Sequence, residues 1–149
     1  MKFFAILVLP KDTDVAHTEM VEDAASKMMQ PFKMWEEGDT VDGAGFPLEG
    51  DGYWDYYSCC SKDCMAHREA EGRFGYSAYA GVPENQPLVV FPVEQVGGEG
   101  VTDSIVTPDG QWHRSQASYT QDDSSWEAKA LGICQSYSGY FGVLLFCHG

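Results

Sequence analysis

A chain of 149 residues with nine basic and 23 acidic side chains carries a formal charge of −14 at neutral pH. That field repels nucleic-acid backbones, which argues against general binding to DNA or RNA polymers. A hydrophobic fraction of 44% and an aromatic fraction of 13% argue against disorder and for one domain, residues 1–149, with its own core, and no apolar run approaches the ~18 residues of a membrane span.

Taken in chain order, Phe3 to Leu9 is a continuous apolar run, the mark of a strand buried on both faces. It imitates the apolar part of a signal peptide. Lys11 and Asp12 follow where small cleavage-site residues belong, so it reads as the first strand of a cytosolic protein. Val21, Ala24, Ala25, Met28 and Phe32 then fall at helical spacing, which predicts a helix from about Thr18 to Gln30, stopped by Pro31. His17, just ahead of it, reads as a solvated loop residue. Residues 36–52 contain five glycines and few apolar side chains, the pattern of a long mobile loop.

Strands are predicted at Tyr53 to Ser58, Arg73 to Ala80, Leu88 to Phe91 and Ser104 to Thr107. Pro108-Asp109-Gly110 turns the last of these back into Gln111-Trp112-His113 as a hairpin. Gly97-Gly98-Glu99-Gly100 lacks the strand–glycine–helix context of a phosphate loop and reads as a connector. Ser124 and Glu127 have the spacing of a capping box. Trp126, Ala130, Ile133, Cys134 and Tyr137 mark the buried face of the helix it opens, and Tyr140 to Cys147 is a closing strand. This order predicts an α+β fold: a mixed, largely antiparallel sheet with two main helices packed to one side, a ferredoxin-like core with insertions.

The five cysteines carry no secretory context and read as reduced thiols, with Cys134 and Cys147 as small core residues. Cys59, Cys60, Cys64 and His67 cluster within nine positions, and Cys60, Cys64 and His67 present three soft groups of the zinc-ligating kind. The paired Cys-x2-Cys knuckle is absent, so the reading favours a reduced loop cluster with no metal and no cofactor. The same spacing excludes Cys-x-x-Cys redox chemistry, and no Gly-x-Ser-x-Gly elbow is present.

Four patches carry a resemblance: the Phe-Ala-Ile-Leu-Val first strand, Tyr53-Trp54-Asp55-Tyr56-Tyr57 with Gly72-Arg73-Phe74, Thr107-Pro108-Asp109-Gly110-Gln111-Trp112-His113, and Cys147-His148. Together they resemble a group of small tailed-phage proteins. Members of that group run a Trp-Asp-Trp-Tyr stretch into Gly-Gly-Arg-Trp, carry a Thr-Pro-Asp-Gly-x-Trp-His turn and finish on Asp-Cys-His. Here a Cys-rich insertion, residues 58–71, separates Tyr57 from Gly72-Arg73-Phe74, and Phe146 stands where the acid before Cys-His is expected. The resemblance implies a phage origin and the host-cell cytoplasm; it implies no particular activity.

Two kinds of chemistry suit the residues. Trp54, Tyr57 and Trp112 offer faces on which bases stack, and Arg73 and Arg114 offer planar forks for phosphate. His113 and His148 offer two imidazoles for a metal-independent phosphodiester cleavage, one as base and one as acid. The expectation is an anti-defence protein that binds, and in its enzymatic version cleaves, a small nucleotide immune signal such as a cyclic dinucleotide. It involves no nucleic-acid polymer and no membrane, and leaves homo-oligomerisation open. The alternative is an acidic, non-enzymatic inhibitor that docks on a basic surface of a host protein through Glu36, Glu37 and Asp39. A DNA mimic and a zinc-stabilised module are weaker readings of the same charge and cysteine content.

Overall fold

The computed structural model describes residues 1–34, 52–117 and 123–149. Loop 36–52, with Glu36, Glu37 and Asp39, thus lies outside the described residues except for its last position.

Among the described residues, six strands and three helices form the α+β fold that the patterning predicts. The strands are β1 (Lys2–Val8), β2 (Tyr56–Cys59), β3 (Val90–Pro92), β4 (Ser104–Thr107), β5 (Gln111–Arg114) and β6 (Phe141–His148). The helices are α1 (Thr18–Met29), α2 (Lys62–Ala70) and α3 (Trp126–Ser136). The sheet runs β2-β6-β1-β4-β5, and β3 pairs with the other half of β6, so β2 and β3 share one edge. β1 lies antiparallel to β6 over its full length, Lys2 opposite His148 and Val8 opposite Gly142, and parallel to β4. The ferredoxin-like expectation is met on both sides of β1, with an antiparallel last strand on one flank and a parallel strand on the other. The hairpin is threaded the other way: its first strand, β4, takes the inner position and β5 the edge.

The helices do not gather on one side, as the sequence suggested. α1 covers one face, where Val21, Ala25 and Met29 pack with Ala5, Leu7, Val106, Val143 and Leu145. α2 and α3 cover the other, where Met65, Trp126, Ala130 and Cys134 pack with Ile6, Val8, Ile105 and Leu144. The cause is already in β1 and β6: both run apolar on consecutive residues, so each face needs its own cover.

Two local expectations are corrected. Arg73 to Ala80 forms no strand; α2 ends at Ala70, Gly72 follows its C-cap with a φ of +78° that suits glycine, and a short 3₁₀ turn spans Tyr76–Ala78. Tyr79 folds inward instead, its ring stacked on Phe91 at 4.3 Å and its hydroxyl donating to the Gly100 carbonyl at 3.0 Å. The alternating apolar residues of this segment therefore roof the α2–α3 core and pair with no strand. The capping box also fails. Ser125 takes the N-cap position without a side-chain bond to the helix, and its hydroxyl donates to Asp123 at 2.8 Å.

β6 contains one close approach. A Cβ on Gly142 would stand 2.9 Å from Val93 Cγ2 and 3.2 Å from the Phe91 ring. Gly142→Ala should destabilise the protein by about 1–3 kcal/mol through overpacking, measured as a shift in the urea midpoint at unchanged slope.

Candidate functional site

The sheet ends in a cleft on the α1 face, where β1 and β4 begin and β5 and β6 finish. Its volume is about 520 Å³, within the range of small-molecule sites. Period-two alternation places Trp112 and Arg114 on this face of β5 and turns His113 to the other. Tyr53 arrives from the segment before β2 and is anchored by its N–H to the Phe32 carbonyl at 2.7 Å.

The aromatic rings here are bonded largely to one another. Tyr53 stacks on Trp112 with centroids 4.7 Å apart and planes 6° apart; Phe32 and Phe3 meet Trp112 edge-on at 5.2 and 6.2 Å. The Trp112 indole donates to Ser104 Oγ at 3.2 Å. The Arg114 guanidinium lies 5.2 Å over the Tyr53 ring, and among the described residues no carboxylate pairs with it. Asp103 stands at the rim, exposed, and burial of its surroundings raises its carboxyl above the ordinary range. Its own carbonyl accepts from Ser115 N–H at 2.9 Å.

The predicted ligand set is divided. Trp112 and Arg114 come together in this cleft. Trp54 is a core residue, 8% exposed, with its indole donating to the Met29 carbonyl at 2.8 Å and its ring edge-on to Tyr57; the hydrogen bond and burial take it out of ligand reach. Tyr57 lines a separate hollow of about 410 Å³ with Glu22, Ser58 and Cys59. Arg73 is exposed beyond α2, beside Glu71 at 3.8 Å, on the opposite side of the sheet from the cleft.

The two histidines are not brought together. His113 is level with Ile105, Ile6 and Leu144, whereas His148 is level with Lys2. Three strand spacings and four residues of rise separate them, roughly 20 Å at ~4.8 Å per strand and ~3.3 Å per residue. His113 Nε2 meets Thr107 Oγ1 at 3.1 Å, and the Thr107 hydroxyl donates to Asp109. Asp109 also accepts from Gln111 N–H at 3.3 Å, and Gly110 sits at φ +83°. The Thr-Pro-Asp-Gly-x-Trp-His patch is thus a turn lock that aims Trp112. His148 Nδ1 meets Asp55 Oδ1, from the residue just before β2, at 2.7 Å.

The cysteine cluster does not converge either. Cys60 is buried, Cys64 is exposed, and His67 faces Glu71 at 3.4 Å; among the described residues no three His, Cys, Asp or Glu side chains form a metal-binding group. Burial pushes Cys59, Cys60 and Cys147 up to about 12, which leaves them protonated and poor nucleophiles. No helix among the described residues is long and apolar enough to cross a membrane.

Sequence reasoning missed Tyr53, Asp103 and the Asp55–His148 pair. Tyr53 was visible only as one of four aromatics in the five-residue run from Tyr53 to Tyr57, and Asp103 and Asp55 gain their meaning from strand pairing. No protein family, curated protein or solved structure matches this chain, so the phage resemblance stands on its motifs.

The Asp55–His148 pair has a pH signature. The hydrogen bond from His148 holds the Asp55 carboxyl below its ordinary 3.8, against desolvation, with the imidazole charge adding to the fall. A carboxyl depressed in the folded state adds stability above its unfolded pKa, and that stability is lost as pH falls through the folded value. Asp55→Asn should therefore lower stability near neutrality, with the deficit closing as pH falls below 3.8, as read from melting temperature against pH.

Proposed function

We propose that this protein is a nucleotide-binding module whose ligand lies in the cleft between Tyr53, Trp112 and Arg114. The observation that carries the reading is Arg114: a guanidinium held over an aromatic ring, without an ion-pair partner among the described residues, beside a cleft of ligand size. A planar fork of this kind takes phosphate through two parallel hydrogen bonds. Because Tyr53 and Trp112 turn their faces on each other, the wall offered to a base consists mainly of ring edges, and a T-shaped contact replaces the face stacking expected of Trp112.

The separation of His113 from His148 favours capture over cleavage. Neither imidazole lines the cleft, and a shared acid–base step needs both within hydrogen-bond reach of one phosphodiester. In the phage setting that the motifs imply, the module would sequester a nucleotide immune signal, such as a cyclic dinucleotide, in the host cytoplasm and return it intact.

The test is equilibrium binding of cyclic di- and mononucleotides, with mass spectrometry of ligand recovered after heat denaturation. Binding with intact recovery is expected. Arg114→Ala should weaken it at least about tenfold, the size of one charge-assisted hydrogen bond, while His113→Ala and His148→Ala leave it unchanged. New products would restore the enzymatic version. Absence of binding across the panel would move the acidic inhibitor to first place, where salt-sensitive capture of a basic host protein is its own readout.

A further inference from the structure

Asp103 and Arg114 are neighbours that do not neutralise one another. Arg114 is directly opposite Ser104 across the β4–β5 pair, and Asp103 is the residue before it, bound through its carbonyl to Ser115 N–H. Both residues line the same cleft. The guanidinium turns to the Tyr53 ring, and among the described residues the Asp103 carboxylate has neither a hydrogen-bond nor an ion-pair partner. An acceptor and a donor of full charge that line one cleft, neither paired with the other, suit a ligand that has a donor edge at one end and an anion at the other.

We infer that the cleft selects guanine among the nucleobases, with Asp103 reading the base edge and Arg114 holding the phosphate; this rests on the nucleotide-binding reading above. The selectivity follows from hydrogen-bond polarity. Guanine carries N1–H and the N2 amino group side by side, two donors at the spacing of a carboxylate's two oxygens. Adenine and cytosine place a ring-nitrogen acceptor beside their amino group, and uracil flanks its single N–H with two carbonyl oxygens. Each of these turns an acceptor lone pair on an ionised carboxylate, which repels it and leaves one oxygen unbonded. Ser104 and Trp112 are already spent on each other at 3.2 Å, and Asp103 is the carboxylate side chain among the described residues that line the cleft.

The experiment is calorimetric titration at pH 7.5 of GMP and cyclic di-GMP against AMP and cyclic di-AMP, on the wild type and on Asp103→Asn. Asp103 is exposed, so circular dichroism should show that the variant folds. The expected result is guanine preference of at least about tenfold in the wild type, collapsing to within about threefold in Asp103→Asn because the amide presents one acceptor and one donor. Equal binding of guanine and adenine ligands by the wild type would overturn the inference and leave the nucleotide-binding reading intact. Guanine preference that survives Asp103→Asn would also overturn it, since another group would then read the base. Failure of all four ligands to bind would remove the nucleotide reading itself, and the inference with it.

Discussion

The pairing of β1 with β6 is the constraint on which the rest of the structure depends. Seven register pairs, from Lys2 and His148 to Val8 and Gly142, lock the two strands along their whole length. Both are apolar on consecutive residues, and Ala5 to Leu9 and Gly142 to Leu145 are buried. A strand of this kind cannot lie at an edge or face water on one side. It needs a strand on each flank, supplied by β4 and β6, and a helix layer on each face, supplied by α1 and by α2 with α3. The cleft follows from the same register, because it opens where β1 begins and β6 stops, beside the first residues of β4.

A second constraint is the alternation of β5. Trp112 and Arg114 share a face, and His113 between them must take the other. One short motif therefore cannot supply both a ligand wall and an acid–base group to the same site. The structure spends His113 on Thr107 and, through Thr107, on Asp109, so that the turn holds its shape. Gly110 supplies the positive φ that closes it. The motif reads as a device that fixes the edge strand, and with it the direction of Trp112 and Arg114.

How much of this was legible in the sequence follows from where each signal is stored. β1, α1, the β4–β5 hairpin and β6 were readable, since run length, helical spacing and a Pro-Asp-Gly turn are local properties. Arg73 to Ala80 was misread because its apolar alternation is the same whether it meets a neighbouring strand or, as with Tyr79 on Phe91, roofs a core. Two-sided helix cover was implied by β1 and yet missed, because helix number alone does not say which face each helix takes. At the site, Trp112 and Arg114 were legible as a local pair. Trp54 was not legible as core, since its bond to the Met29 carbonyl spans 25 positions, and the link of His148 to Asp55 spans 93.

The charge of −14 also bears on which nucleotide a cleft with one arginine can hold. The long-range field opposes every phosphate that approaches, and salt screens it beyond about 8 Å at physiological ionic strength. Within that distance the balance is local: one guanidinium gains a charge-assisted contact, while each further phosphate charge without a partner meets Asp103 and the remaining acids. Nucleoside triphosphates, with several charges on one end, bring more repulsion than a single arginine can offset. A cyclic dinucleotide distributes one charge on each of two phosphodiesters, so one can sit on Arg114 while the other stays in solvent. The acidity that argues against nucleic-acid polymers disfavours polyphosphates on the same ground, and it narrows the proposed ligand to nucleotides of low and well-separated charge.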